Sequence, residues 1–151
     1  MTLTPKEHSL LTDLKSQEEL CIKKYGNYAE RAHDTTLKNL FNTIKSTEQE
    51  HLSTISQILS GQEVKTSAAP AAVNENISFP QSKESSENKE QDAFLCKDAL
   101  TMEKHVSSLY DTSVFEFNSP VLRDTLSHIQ KEEQNHGMEL YKYMSANSMY
   151  G

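Results

Sequence analysis

The sequence predicts an all-α protein, a four-helix bundle made of two helical hairpins joined by a long crossover connection. Three observations favour this fold class. The chain of 151 residues contains four glycines and four prolines, which is a low number of helix breakers. Apolar residues recur in four segments at alternating steps of three and four, as expected for helices with one buried face. The first and third links between these segments are short, and the second is long, as expected for two hairpins joined by a crossover.

Helix 1 is predicted over residues 4–33. Thr4 suits the capping position, Pro5 suits the first helical position, and Glu7 completes a capping box. The segment that follows keeps one apolar or small residue on the same side of every turn, which predicts a buried face. That face consists of Leu11, Leu14, Cys21, Tyr25, Tyr28 and Ala32.

Helix 2 is predicted over residues 34–60, with Asp34 as its cap and Gly61 as its stop. Its predicted buried face consists of Leu37, Phe41, Ile44, Ile55 and Ile58. Residues 61–90 then lose the period and become rich in Ser, Asn, Lys, Glu, Ala and Pro, which predicts a flexible crossover. This connection is much longer than a helix-to-helix turn needs, and it suffices to bring the chain back to the end where it started.

Helix 3 is predicted over residues 91–117 and helix 4 over residues 119–146, where Ser119 caps and Pro120 opens the helix. The predicted buried face of helix 3 consists of Cys96, Ala99, Val106, Tyr110, Ser113 and Phe117. That of helix 4 consists of Leu122, Leu126, Ile129, Leu140 and Tyr143. We therefore expect a single domain over residues 1–151 with the connectivity of ferritin-like folds.

Six ionisable residues interrupt these apolar faces near the middles of the helices. They are Glu18, Glu48, His51, Glu103, Glu133 and His136. The first three recur as the last three at a constant, ungapped offset of 85 residues. The chain therefore looks like a duplicated helical hairpin folded around a pseudo-twofold axis.

These six residues are predicted to bind two divalent metal ions. Burying four bare carboxylates near each other is costly, and two cations would neutralise them. A glutamate from each of two helices, with Glu-x-x-His from each of the others, is the ligand set of di-iron and di-manganese carboxylate bundles. The ligand types do not distinguish Fe from Mn. The alternative is a metal-free, hydrogen-bonded network in which some carboxylates are protonated.

Tyr25 and Tyr110 each follow a predicted ligand, Glu18 or Glu103, by seven residues. One interpretation is that each hydroxyl supports the site by a hydrogen bond to a ligand carboxylate. The other is that both are core aromatic residues whose hydroxyls find some other acceptor. Gly137 either permits close helix packing or is a tolerated defect that costs about 1 kcal/mol.

The remaining polar residues near the predicted site are expected to lie away from it. The glutamates that flank the ligands are predicted to face solvent: Glu19, Glu50 and Glu132. The histidines off the apolar faces are predicted surface residues: His8, His33, His105 and His128. Asp13 and Asp98 share the repeat offset and are expected at the surface or in hairpin packing, while Cys21 and Cys96 are expected to be buried, inert thiols.

Composition excludes several function classes. The formal net charge of −7 and the pI near 5.3 argue against nucleic-acid binding. We expect no secretory signal, because no basic leader followed by an apolar run opens the sequence, and we expect no membrane-spanning segment. The two cysteines form no CxxC pair, which argues against a thiolate zinc site.

Four segments resemble the coat F domain of bacterial spore coat proteins, a family of the ferritin-like superfamily. They are "LKSQEELCIKKYGNYA", "EQEHLSTISQILSGQ", "EKHVSSLYDTSVFEFNSPVLRDTLSHIQKEEQNHG" and "NSMYG". The resemblance implies a spore coat component that is made in the mother-cell cytoplasm and laid on the forespore. Its expected partners are other spore coat proteins, with a homodimer or higher homo-oligomer as an expected assembly.

Within the superfamily, the ligand pattern is most similar to rubrerythrin and bacterioferritin. Their bridging and terminal carboxylates would map onto Glu18, Glu48, Glu103 and Glu133, and their histidines onto His51 and His136. Most rubrerythrins carry a rubredoxin-like domain with paired CxxC motifs; these residues contain no such motif, so we expect no built-in electron donor.

Three functions are compatible with the sequence. The first is a spore coat component in which a metal pair stabilises the bundle. The alternative is a di-iron or di-manganese oxidoreductase that removes peroxide or O2, as rubrerythrins and catalases do. The third is an iron store like ferritin, although no feature indicates a shell of many subunits. We favour the coat component, and the sequence leaves catalysis open.

Overall fold

Four helices account for most of the structure, a computed structural model that describes residues 2–64 and 76–150. They are α1 (Pro5–Arg31), α2 (Thr35–Leu59), α3 (Ser86–Val114) and α4 (Pro120–Ala146). The described ranges contain no β-strand, which confirms the all-α prediction. Part of the connection for which flexibility was predicted, residues 65–75, lies outside the described residues.

Most helix ends lie where the capping residues predict them. The backbone N–H of Glu7 donates to Thr4 Oγ1 at 3.1 Å, and the backbone N–H of Thr4 donates to Glu7 Oε1 at 2.8 Å, which completes the capping box. The side chains of Asp34 and Ser119 accept backbone N–H groups at the starts of α2 and α4. Gly61 follows α2 with φ +85°, a left-handed conformation that glycine adopts without strain.

Helix α3 differs from its prediction at both ends. It begins at Ser86 because the side chain of Ser85 accepts the backbone N–H of Asn88 at 3.2 Å and caps the helix. Residues 86–90 are therefore helical, although the sequence predicted them in the flexible connection. The helix ends at Val114, before the predicted end, yet Phe117 is still buried in the turn that follows.

The two hairpins, α1–α2 and α3–α4, pack so that α1 lies antiparallel to α3. At one end, Lys6 Nζ lies 2.9 Å from Glu116 Oε2. At the other end, the Asp92 carboxylate accepts the backbone N–H groups of His33 and Asp34 at 2.8 and 3.0 Å. Helix α3 thus begins beside the α1–α2 turn, whereas α2, with its 25 residues, ends about 37 Å away. The end of α2 and the start of α3 therefore lie at opposite ends of the bundle.

The described end of this connection packs against α4. The backbone N–H of Ser82 donates to Asn147 Oδ1 at 2.7 Å, and the ring centroid of Phe79 lies 5.7 Å from that of Tyr143. The hydroxyl of Tyr143 donates to Asp34 Oδ2 at 2.6 Å. These contacts join the connection, α2 and α4 at one end of the bundle.

All apolar and small residues predicted for the four buried faces are buried. Cys21 and Cys96 lie in this core as free thiols, as predicted. Burial raises the pKa of both thiols, that of Cys96 to about 12, so both stay protonated at neutral pH. Asp98, predicted at the surface or in hairpin packing, accepts a hydrogen bond from Tyr28 and so links α3 to α1.

Replacing Glu7 with alanine is expected to lower the stability of the bundle. Besides capping α1, the carboxylate accepts the backbone N–H of Asn118 at 3.1 Å and joins α1 to the α3–α4 turn. We expect a loss of about 2 kcal/mol and a fall in Tm of about 4–8 °C, measured by thermal unfolding. Glu19→Ala, which changes an exposed glutamate of the same helix, is the control.

The effect of Glu7→Ala should also depend on pH. Although burial opposes ionisation, the backbone N–H groups of Thr4 and Asn118 hold the pKa of Glu7 below its usual value. The stabilisation is therefore present at neutral pH and is lost as the pH falls below the ordinary carboxyl range. If the difference in stability between wild type and Glu7→Ala grows as the pH is lowered, this role of Glu7 is wrong.

Candidate metal centre

Six polar side chains meet in the middle of the bundle, on the inner faces of all four helices. Each has 5% exposure or less: Glu18, Glu48, His51, Glu103, Glu133 and His136. The local sequence explains this placement. Residues three apart on a helix lie on the same face, so each Glu-x-x-His pair projects into the interior as one unit. The structure thus brings together all six residues that the sequence singled out.

The six residues form two overlapping groups with metal-ligand spacing. The first contains Glu18, Glu48, His51 and Glu133, and the second contains Glu48, Glu103, Glu133 and His136. Within each group, one donor atom per residue lies within 4.8 Å of the others. Glu48 and Glu133 belong to both groups, so they are the candidates for bridging two ions. The sequence left this assignment open.

Both histidines present Nδ1 to the centre. His51 Nδ1 lies 2.9 Å from Glu133 Oε1 but 3.7 Å from Glu48 Oε1 on its own helix. In the same way, His136 Nδ1 lies 3.1 Å from Glu48 Oε1 but 3.9 Å from Glu133 Oε2 on its own helix. Each histidine is therefore closer to the carboxylate of the opposite hairpin, as a pseudo-twofold axis between the hairpins requires.

Most polar atoms at this centre make no hydrogen bond of good geometry within the described ranges, although several lie close to one another. These atoms are Glu18 Oε2, Glu103 Oε2, both carboxylate oxygens of Glu48 and Glu133, and Nδ1 of His51 and His136. Burying several carboxylates side by side costs free energy unless protons or cations neutralise them. Carboxylate oxygens and imidazole nitrogens suit divalent Fe and Mn, so the donor set fits a pair of such ions.

The electrostatics of the cluster show how the chain balances this charge with protons. Burial, and then contact with Glu48, raises the pKa of Glu18 to about 11, and burial also raises the pKa of Glu133 well above its usual value. Although burial opposes it, contact with the carboxylates of Glu103 and Glu48 raises the pKa of His136 to about 10. Despite burial, contact with His136 lowers the pKa of Glu48 to about 2.

Two buried tyrosines donate hydrogen bonds to Glu18 and Glu103, the outer glutamates, each of which belongs to only one donor group. Tyr25 donates its hydroxyl hydrogen to Glu103 Oε1 at 2.5 Å, and Tyr110 donates to Glu18 Oε1 at 2.6 Å. Each tyrosine therefore reaches the glutamate of the other hairpin, rather than the one seven residues before it. Burial, followed by the neighbouring carboxylate, raises the pKa of both hydroxyls well above the usual value, so they remain donors.

The prediction that Glu132 faces solvent is wrong. Its Oε1 lies 3.1 Å from His51 Nε2 and 3.2 Å from His128 Nε2, and its side chain is 26% exposed. The cause is the packing of α4 beside α2, which places the residue before Glu133 against the outer edge of His51. The sequence contained one signal for this contact. A buried histidine that binds through one ring nitrogen needs a hydrogen-bond partner for the other, and a neighbouring glutamate can provide it.

Glu19 and Glu50 are exposed, as predicted, and so are His8, His105 and Asp13. His33 and His128, which were predicted at the surface, are only half-buried. Glu132 is thus the single flanking glutamate that contacts the centre.

A surface cavity of about 410 Å³ between α3 and α4 reaches the centre. Its lining includes Glu103 and Glu133 of the cluster, together with Gly137. A Cβ atom added at Gly137 would meet Leu100 Cδ1 at 3.6 Å, an ordinary van der Waals distance. Close helix packing therefore does not require this glycine, which leaves the interpretation of a tolerated defect.

Replacing Gly137 with alanine is expected to stabilise the protein. Alanine is favoured over glycine inside a helix by about 1 kcal/mol, which corresponds to a rise in Tm of about 2–4 °C. Thermal unfolding of the two proteins measures the difference. A lower Tm for Gly137→Ala would show that the space at this position is needed.

Comparison with protein families matches residues 91–151 to the family model of the Coat F domain. The matched range covers most of α3, all of α4 and the C-terminal residues, and it contains Glu103, Glu133 and His136. Comparisons with curated proteins and with solved structures give no significant match. Among the helices of the described ranges, none has the length and apolar character needed to cross a membrane.

Proposed function

We propose that this chain is a spore coat component whose ferritin-like bundle holds a dinuclear metal centre, because residues 91–151 match the family model of the Coat F domain. The family match supports the coat role, the spore coat as the location and other coat proteins as the partners. One observation carries the metal centre: two groups of four buried donors that share Glu48 and Glu133.

Each hairpin contributes equally to the proposed centre. Glu18 and His51 would hold one ion, and Glu103 and His136 the other, while the carboxylates of Glu48 and Glu133 are shared. When bound, a pair of Fe or Mn ions supplies positive charge to the buried carboxylates and a capacity for redox chemistry. The tyrosine hydroxyls orient the outer glutamates, and the apolar core around the cluster limits access by water.

Metal content tests this proposal directly. The full chain is freed of metal with a chelator, supplied anaerobically with Fe(II) or Mn(II), desalted and subjected to elemental analysis. We expect close to two ions per chain for wild type, and a near-complete loss when both His51 and His136 are replaced by alanine. A wild-type content well below one ion per chain would refute the proposed centre.

Metal binding is also expected to release protons. At neutral pH the raised pKa values leave protons on Glu18, Glu133 and His136, so up to three must leave when metal replaces them. Calorimetry at pH 7 in buffers of different ionisation enthalpy measures this number, and the affinity should fall as the pH is lowered. A binding heat independent of the buffer would contradict this charge balance.

A second function, an oxidoreductase that removes peroxide or O2, is favoured by the cavity between α3 and α4. The lining of that cavity includes Glu103 and Glu133, so a small molecule held there would lie beside two residues of the centre. The two functions predict different effects of His136→Ala on peroxide turnover and on thermal stability. For an oxidoreductase, metal-loaded wild type consumes peroxide and the variant loses this turnover. For a purely structural centre, turnover is negligible in both proteins and the variant only loses thermal stability.

A further inference from the structure

The pseudo-twofold symmetry of the centre is broken behind the two histidines. Nε2 of His51 lies 3.1 Å from Glu132 Oε1, on the side away from the centre. The residue that corresponds to Glu132 in the other hairpin is Thr47. Its hydroxyl turns back to its own helix and donates to the carbonyl oxygen of Thr43 at 3.5 Å. One histidine therefore has a carboxylate behind it, and the corresponding position behind the other holds a threonine.

The contacts of His136 differ accordingly. Within residues 2–64 and 76–150, its close polar contacts all go through Nδ1, to Glu48, Glu103 and Glu133. Glu139, three residues further along α4, is near enough to interact electrostatically with His136 but makes no hydrogen bond to it in the described structure. The outer edge of His136 thus lacks the carboxylate contact that His51 has.

Glu132 contacts a second histidine besides His51. Its Oε1 atom also lies 3.2 Å from Nε2 of His128, one turn earlier on α4, so two imidazoles share one carboxylate oxygen. A carboxylate oxygen 3.1 Å from Nε2 of His51 fixes a hydrogen on that nitrogen and leaves the Nδ1 lone pair directed at the centre.

A carboxylate behind a ligating histidine orients the ring and makes it a stronger donor, with effects of about 10–100-fold on metal affinity. We propose that Glu132 is a positioning residue that makes the two metal positions unequal. The position formed by Glu18, Glu48, His51 and Glu133 fills first and binds its divalent ion more tightly than the position that contains His136. This inference rests on the metal centre proposed above and concerns the order and strength of its filling.

Anaerobic calorimetry with Mn(II) or Co(II) tests the inference on the full chain. Wild type is expected to bind two ions in separate phases that differ by about 10–100-fold in affinity. Glu132→Ala should weaken the tighter phase by about that factor and leave the weaker phase unchanged. His136→Ala should remove the weaker phase and retain the tighter one, which assigns the phases to the two positions.

Thr47 provides a matched pair of control variants. Thr47→Ala should change neither phase, because its hydroxyl bonds only to its own helix. Thr47→Glu places a carboxylate at the position corresponding to Glu132 and should strengthen the weaker phase. If Glu132→Ala does not fold, Glu132→Gln keeps the acceptor without its charge and should weaken the tighter phase several-fold. The Tm of each metal-free variant reports whether it is folded.

The outcomes separate this inference from the metal centre itself. If wild type binds no metal pair, both the centre and the inference are wrong. If it binds two ions with equal affinity, or if Glu132→Ala weakens both phases equally, the inference is wrong and the centre stands. A tighter phase that is unchanged in both Glu132→Ala and Glu132→Gln also overturns it.

Discussion

Replacing Glu48 with alanine is expected to abolish the binding of both metal ions, and replacing Glu133 should do the same. Each residue belongs to both four-donor groups, so its loss leaves each group with three donors and removes a shared carboxylate. Elemental analysis after anaerobic loading measures the result. Glu48→Gln tests the same role with a side chain of similar volume, since it keeps the shape of the core and removes the charge.

The outer glutamates are the matched controls for this experiment. Glu18 and Glu103 belong to one group each, so Glu18→Ala or Glu103→Ala is expected to lower the content to about one ion per chain. Metal content that falls equally in all four variants would contradict the assignment of Glu48 and Glu133 as bridging residues. Retention of both ions in Glu48→Ala would contradict it more directly.

Loading the centre with metal is expected to raise the thermal stability of the protein substantially. Ligand at about 100 times its dissociation constant stabilises a folded protein by about 2.7 kcal/mol per site. Two filled sites therefore add about 5 kcal/mol, which corresponds to a rise in Tm of about 10–20 °C for a chain of this size. The physical cause is that the ions neutralise the buried carboxylates and bind folded chain in preference to unfolded chain.

Differential scanning calorimetry with and without a chelator measures this shift. The variant in which His51 and His136 are both alanine should show the same Tm in the presence and absence of metal, because it has lost one nitrogen donor from each group. If wild type also shows the same Tm under both conditions, metal does not stabilise the fold, and the structural role proposed for the centre is wrong.

The local features of the fold could be predicted from the sequence. A period of three to four residues identified the buried faces. Polar residues that interrupt this period identified the six candidate metal ligands, among them Glu18 and His136. Thr4, Asp34 and Gly61 marked helix ends because capping depends on residues close in the chain. These features require only the geometry of one helix at a time.

Features that depend on contact between hairpins could not be predicted. The sequence identified both Glu18 and Glu48 as donors, but only the packing of the hairpins shows that Glu48 is shared between both donor groups. Glu132 has the spacing of a solvent-facing residue, and its contact with His51 arises because α4 lies beside α2. The start of α3 was missed for a local reason, since Ser85 is one of several serines able to cap a helix.

The crossed hydrogen bonds of Tyr25 and Tyr110 have a consequence for ancestry. Each tyrosine supports a glutamate of the other hairpin, and each histidine lies closest to a carboxylate of the other hairpin. A single hairpin thus carries one glutamate, one Glu-x-x-His pair and one tyrosine. These residues form neither four-donor group without the other hairpin. Two identical copies, paired as an ancestral dimer, would already have contained every part of the centre before any fusion joined them.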